Sequence, residues 1–125
     1  MCAPEQGGRT KRPKRSDDMN LKLMEDKGTL VAAVTGEIDH HNALLLREKV
    51  DRQIAAMRPA ELCIDLSGVE FMDSSGLGFI MGRYRSMAGL GGKVSVKGAK
   101  GRVEAVLQMA GAYRYVEKIE GGNPV

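Results

Sequence analysis

The sequence predicts an α/β domain in which helices cross over between strands of one sheet. Short apolar or alternating runs take turns along the chain with stretches of 10–15 residues at helical spacing, the order expected of strand–helix–strand units. Gly and Pro fall between them, where the chain must turn. The length, 125 residues, allows one compact domain and a tail.

The elements follow in order. Leu21 and Leu23, then Leu30, Ala32 and Val34, alternate with Lys22, Met24, Thr29, Val31 and Ala33 around Asp26-Lys27-Gly28, the pattern of a hairpin with a short turn. After Gly36-Glu37-Ile38-Asp39, apolar residues at Leu44, Leu45, Val50, Ile54 and Met57 recur at helical spacing, with Arg47, Lys49, Asp51 and Arg52 left for the wet side. This predicts an amphipathic helix stopped by Arg58-Pro59. Leu62-Cys63-Ile64-Asp65-Leu66, bounded by Pro59 and Gly68, suits a buried central strand. A second helix is expected from Leu77 to about Met87, closed by Gly89 and Gly91-Gly92. Lys93–Lys97 then reads as a strand, Gly101–Ala110 as a helix ending at Gly111, and Tyr113–Ile119 as a last strand.

Composition and charge narrow the function. With 42% apolar residues the chain can bury a real core, but 4% aromatic residues and no Trp leave base stacking without its usual platforms. The net charge is +3. Residues 1–18 hold Arg9, Lys11, Arg12, Lys14 and Arg15 against Glu5, Asp17 and Asp18, so most of the excess lies there. The rest is near neutral and selects neither nucleic acid nor membrane. Residues 1–18 lack apolar periodicity and read as a disordered basic tail. A solvated arm or an anionic contact both account for Lys11–Arg15. Met19 opens the first structured segment, so translation starting there is a further reading.

No 7–15-residue apolar stretch follows the basic start, as a signal peptide requires, and Leu30–Val34 and Ala43–Leu46 fall far short of the roughly 20 residues of a spanning helix. Cys2 and Cys63 cannot form a disulfide framework and fit a reducing cytosol. Neither they nor the adjacent pair His40-His41 has metal-ligand spacing, so no metal is expected.

The chemistry concentrates in Asp73-Ser74-Ser75-Gly76-Leu77-Gly78, which places hydroxyls where a strand end meets a helix start. A phosphate on Ser74 would sit where free backbone N–H groups and the helix dipole favour an anion. An ordinary N-cap accounts for the same residue types. A nucleophilic serine is disfavoured: Gly-x-Ser-x-Gly is absent, and the imidazoles, His40 and His41, precede the serine where the hydrolase elbow order puts His last. Gly76-Leu77-Gly78-Phe79-Ile80-Met81-Gly82 is not the dinucleotide fingerprint, and Gly91-Gly92-Lys93-Val94 lacks the P-loop spacing. These glycines read as a close-packed helix start and a turn.

Gly36-Glu37-Ile38-Asp39-His40-His41, then Asp65-Leu66-Ser67-Gly68-Val69-Glu70-Phe71-Met72-Asp73-Ser74-Ser75-Gly76-Leu77-Gly78, and then Gly82-Arg83-Tyr84 resemble the anti-sigma factor antagonists of the STAS domain family, of the stage II sporulation protein AA type. The two blocks arrive in order at the family's spacing, and the resemblance covers residues 19–119. It implies one mixed sheet flanked by helices, with residues 120–125 as a C-terminal tail. It implies no catalysis and no cofactor. The expected partner is an anti-sigma factor that is also a serine kinase; it is bound to free a sigma factor and released when it phosphorylates the antagonist. A PP2C-type phosphatase reverses this.

By position Ser74 corresponds to the phosphoacceptor. Asp39, Asp73, Ser75 and Gly76 join it in the partner-binding face, with Asp39 expected near Ser74. With the cysteine usage and near-neutral domain above, the expectation is a cytoplasmic monomer without direct nucleic-acid or membrane contacts. A STAS regulator of another partner-switching pathway, such as general stress, is the alternative, and a small serine hydrolase or nucleotide-binding protein a distant one. Relatives continue into a terminal helix, whereas Glu120-Gly121-Gly122-Asn123-Pro124-Val125 has no helix-forming pattern.

Overall fold

A computed structural model describes residues 21–119; the expectations for residues 1–18, Met19 and 120–125 lie outside them. The elements are β1 (Leu21–Asp26), β2 (Thr29–Ile38), α1 (His40–Met57), β3 (Glu61–Met72), α2 (Ser74–Gly89), β4 (Lys93–Lys97), α3 (Gly101–Met109), a 3₁₀ turn (Ala112–Arg114) and β5 (Glu117–Ile119). The strands form one mixed sheet in the order β1-β2-β3-β4-β5, with β1 antiparallel to β2 and the other pairs parallel.

The hairpin turn is as its residues demand. Lys27 and Gly28 both adopt positive φ, 52° and 84°, the requirement of a two-residue turn that matches strand twist. From β2 onward the strand order never reverses, so right-handed crossovers bring every helix to the same face of the sheet. The core follows: Leu30, Ala32 and Val34 of β2, Leu62, Ile64 and Leu66 of β3, and Val94 and Val96 of β4 pack in one cluster with buried residues of α1, α2 and α3. On the other face Cys63 and Ser95 pair across β3 and β4, and the Ser95 hydroxyl donates to Glu61 Oε2 at 2.8 Å. Burial pushes the Cys63 thiol up, opposed by a hydrogen bond with Ser95.

Four details differ from the sequence reading. The central strand does not stop at Gly68 but runs to Met72, because Gly68 lies opposite Thr35 between two register shifts. A Cβ at Gly68 would come within 2.6 Å of Thr35 Cγ2, so the glycine permits the bulge rather than ending the strand. The second helix begins at Ser74 rather than Leu77. On α1 the buried stripe is Leu46, Val50 and Ile54, while Leu44 is 52% exposed. Finally, the expected strand 113–119 is a 3₁₀ turn followed by three strand residues. Ala112 and Val116 are both buried at helical, not alternating, spacing. The turn closes through Val116 N–H donating to Ala112 O at 3.1 Å.

Candidate functional site

In β2 and β3, Ile38 is the Cα partner of Met72. The residues that follow them, Asp39 and Asp73, therefore leave neighbouring strands side by side at the carboxyl edge of the sheet, where open α/β sheets gather their sites. Asp73 N–H donates to Ile38 O at 3.4 Å, tying the two exits together. Each aspartate then starts a helix. Asp39 Oδ1 accepts from Asn42 N–H at 2.9 Å, and Asp73 Oδ1 accepts from Ser75 N–H at 2.8 Å, satisfying donors that a helix start otherwise leaves orphaned. Asp39 and the serine motif thus leave adjoining strand ends, and both carboxylates cap helices there.

Ser74 is the first residue of α2 and exposed. Its hydroxyl makes no hydrogen bond to any described residue. Ser75, one residue on, is half-buried and its N–H is committed to Asp73. Gly76 is buried, and a Cβ there would overlap Met72 Cγ and approach Ile38 Cγ2 to 3.0 Å; only glycine lets α2 start this close to the ends of β2 and β3. The reading of a close-packed glycine start holds for Gly76 but not for Gly78 or Gly82, where a Cβ would meet nothing within 4 Å.

His40 and His41 are exposed at the start of α1. Neither makes a hydrogen bond to Ser74 among the described residues. The described residues also contain no group of three His, Cys, Asp or Glu placed to hold a metal, and no helix long and apolar enough to cross a membrane.

Between α1 and α2, beside Ser75, a groove of 210 Å³ is lined by His40, Ala43, Leu44, Arg47, Gly78 and Phe79. Beneath these helices lies a feature that sequence patterning did not assign. Arg83 of α2 is 4% exposed with its Nε 2.8 Å from Asp51 Oδ1 of α1, an ion pair without the alignment of a hydrogen bond. Its Nη1 donates to Phe79 O at 3.3 Å, and the guanidinium lies 5.5 Å from the Phe79 ring centroid. Burial lowers the Arg83 pKa and Asp51 opposes that; arginine keeps its charge. Asp51, read from the sequence as part of the wet face, instead locks α1 to α2. The available signal was an arginine in phase with Phe79, Ile80 and Met87 on the buried side of α2.

The STAS domain model matches residues 20–121. Over 97 residues the chain is 31% identical to the anti-sigma F factor antagonist of Paenibacillus polymyxa, covering 78% of this chain and 83% of that protein. It is 29% identical over 108 residues to the anti-sigma-B factor antagonist of Bacillus subtilis, covering 84% of this chain and 97% of that one. Among solved structures, the anti-sigma factor antagonist SpoIIAA in its unphosphorylated form superposes with a TM-score of 0.71 at 26% identity, covering 81% of this chain and 89% of its own. The phosphorylated form of the Bacillus protein superposes at 0.65 and 25% identity, covering 81% of this chain and 92% of its own. With its sheet order, its paired helix starts and a family match across the whole described domain, the chain belongs to the STAS domain family.

Proposed function

We propose that this protein is an anti-sigma factor antagonist. Unphosphorylated, it binds an anti-sigma factor that is also a serine kinase and so releases a sigma factor; phosphorylation of Ser74 ends the binding, and a PP2C-type phosphatase restores it. The observation that carries this is Ser74: an exposed hydroxyl, unpartnered among the described residues, on the first residue of a helix and beside two capping carboxylates. Such a hydroxyl needs no base in its own chain, because a kinase brings base, ATP and Mg²⁺ in trans. The names of the relatives support the reading, as does the existence of SpoIIAA in phosphorylated and unphosphorylated forms.

A phosphate adds about −1.5 to −2 charges at neutral pH. The N–H groups and dipole of α2 tolerate it in the free protein. Against a partner surface it adds to Asp73 and Asp39, and an unpaired charge buried in an interface costs several kcal/mol. Dissociation then needs no refolding. The proposal assigns the chain no catalysis, a cytoplasmic place with its partners, and a monomeric state.

Affinity capture from source cells with wild-type, Ser74→Ala and Ser74→Glu proteins tests this. The wild type and the Ala variant are expected to retain an ATP-binding anti-sigma factor that the Glu variant loses. Equal retention by all three, or no such protein on any, overturns it. The alternative is a STAS regulator of another partner-switching pathway, such as general stress, and the identity of the captured partner decides between them.

A further inference from the structure

Leu44 breaks the pattern of its helix. The buried stripe of α1 runs through Leu46, Val50 and Ile54, so Leu44 contributes little to the core, yet it lines the groove beside Ser75 together with buried Phe79. Gly78 adds no side chain, and nothing lies within 4 Å of where its Cβ would be, so the groove is open. Its volume, 210 Å³, is below the ~300–1,000 Å³ of small-molecule sites. It exceeds the ~150 Å³ that admits one aromatic ring, a size that suits a protein side chain.

One cation stands on its wall, a turn or more along α1 from the capping carboxylate Asp39. Arg47, on the groove wall, is exposed and has no ion-pair partner among the described residues. Arg83 behind it is already paired with Asp51, so Arg47 is the cation left to take a carboxylate. An apolar floor next to an uncompensated cation is complementary to an apolar side chain next to a carboxylate.

We propose that the α1–α2 groove is the anchor pocket for the anti-sigma factor: an apolar side chain of that partner lodges between Leu44 and Phe79, and a neighbouring Asp or Glu pairs with Arg47. This rests on the partner-switching reading and extends its contact surface from the serine onto α1. It also sharpens the switch, because a phosphate on Ser74 would repel the same carboxylate that Arg47 attracts.

The test titrates the anti-sigma factor recovered in the capture experiment into wild type, Leu44→Glu, Arg47→Glu, Arg47→Lys, Leu90→Glu and Ser74→Glu proteins by calorimetry. Leu90 is a fair control: it is 41% exposed at the far end of α2, 16 residues or about 24 Å from Ser74. Leu44→Glu and Arg47→Glu are each expected to weaken binding about tenfold or more, with Arg47→Lys and Leu90→Glu within about threefold of wild type. All the altered side chains face solvent, and unchanged thermal unfolding confirms that the fold is intact. If Leu44→Glu and Arg47→Glu bind like wild type while Ser74→Glu does not, the groove is excluded and the serine switch stands. If Ser74→Glu also binds like wild type, or no anti-sigma factor is captured, the switch falls and the groove's role with it.

Discussion

Two helices of this domain begin on an aspartate and one begins on a lysine. At α1 and α2, Asp39 and Asp73 accept from backbone N–H groups within the first turn. At α3, Lys100 has the extended backbone of an N-cap residue but offers no side-chain hydrogen bond. The α3 region is held instead from its flank: Glu104 accepts from Gln108 Nε2 at 2.6 Å, Tyr113 Oη at 2.6 Å and Lys118 Nζ at 2.7 Å, joining α3, the 3₁₀ turn and β5. The carboxyl edge around Ser74 is therefore built from local caps joined by strand register, and the α3 end from one carboxylate gathering three donors. The first arrangement leaves a serine hydroxyl without a partner among the described residues at a capped helix start; the second uses up its polar groups in holding the fold.

The comparison can be broken most forcefully at Gly76. Gly76→Ala forces a methyl against Met72 Cγ, near the stem of that side chain, with Ile38 behind it, and is expected to cost about 3 kcal/mol, the upper part of the overpacking range. Gly78→Ala, two residues on and with open space around it, is expected to gain about 0.5–1 kcal/mol. Urea unfolding of the two variants checks both signs.

Asp51→Ala comes next. It leaves the Arg83 guanidinium buried without its carboxylate, but Asp51 is itself 39% exposed. The expected loss is about 2 kcal/mol, below the ~3–5 kcal/mol of a fully buried pair because solvent screens this one. Partner affinity should fall with it, since the pair fixes α1 against α2; unchanged stability would show that the guanidinium finds water.

The caps themselves give a smaller contrast. Asp39→Ala and Asp73→Ala are each expected to destabilise by about 1 kcal/mol. Lys100→Asp should do the reverse at α3, adding about 0.5–1 kcal/mol through a new cap and a favourable dipole interaction. Thermal unfolding measures all three, and a neutral Lys100→Asp would show that the α3 start is already satisfied by other means.

The smallest effect is one of pH. Hydrogen bonds from Lys118 and then Tyr113 hold the Glu104 carboxyl below its ordinary value. A depressed folded-state pKa contributes stability that is full above the unfolded value, about 4.3, and is lost as pH falls through the folded one. The acid limb of a stability–pH curve should therefore be shallower in Glu104→Gln, with partner binding at neutral pH unaffected.

What the residues dictated alone is local. Lys27-Gly28 set the hairpin turn, Arg58-Pro59 ended α1, and the Asp-Ser-Ser-Gly segment placed a hydroxyl at a helix start, because dihedral limits and caps act within a few residues. Periodicity also found the central strand and three helices. The phase of α1, which buries Leu46 and exposes Leu44, the passage of β3 through Gly68, and the 3₁₀ turn in place of a strand at Tyr113 were decided by packing. So was the site: Asp39 stands beside Asp73 because Ile38 pairs with Met72 across 34 residues of chain, and Asp51 meets Arg83 because two helices share one face of the sheet. Such contacts depend on register and docking between distant segments, which no window of local sequence contains.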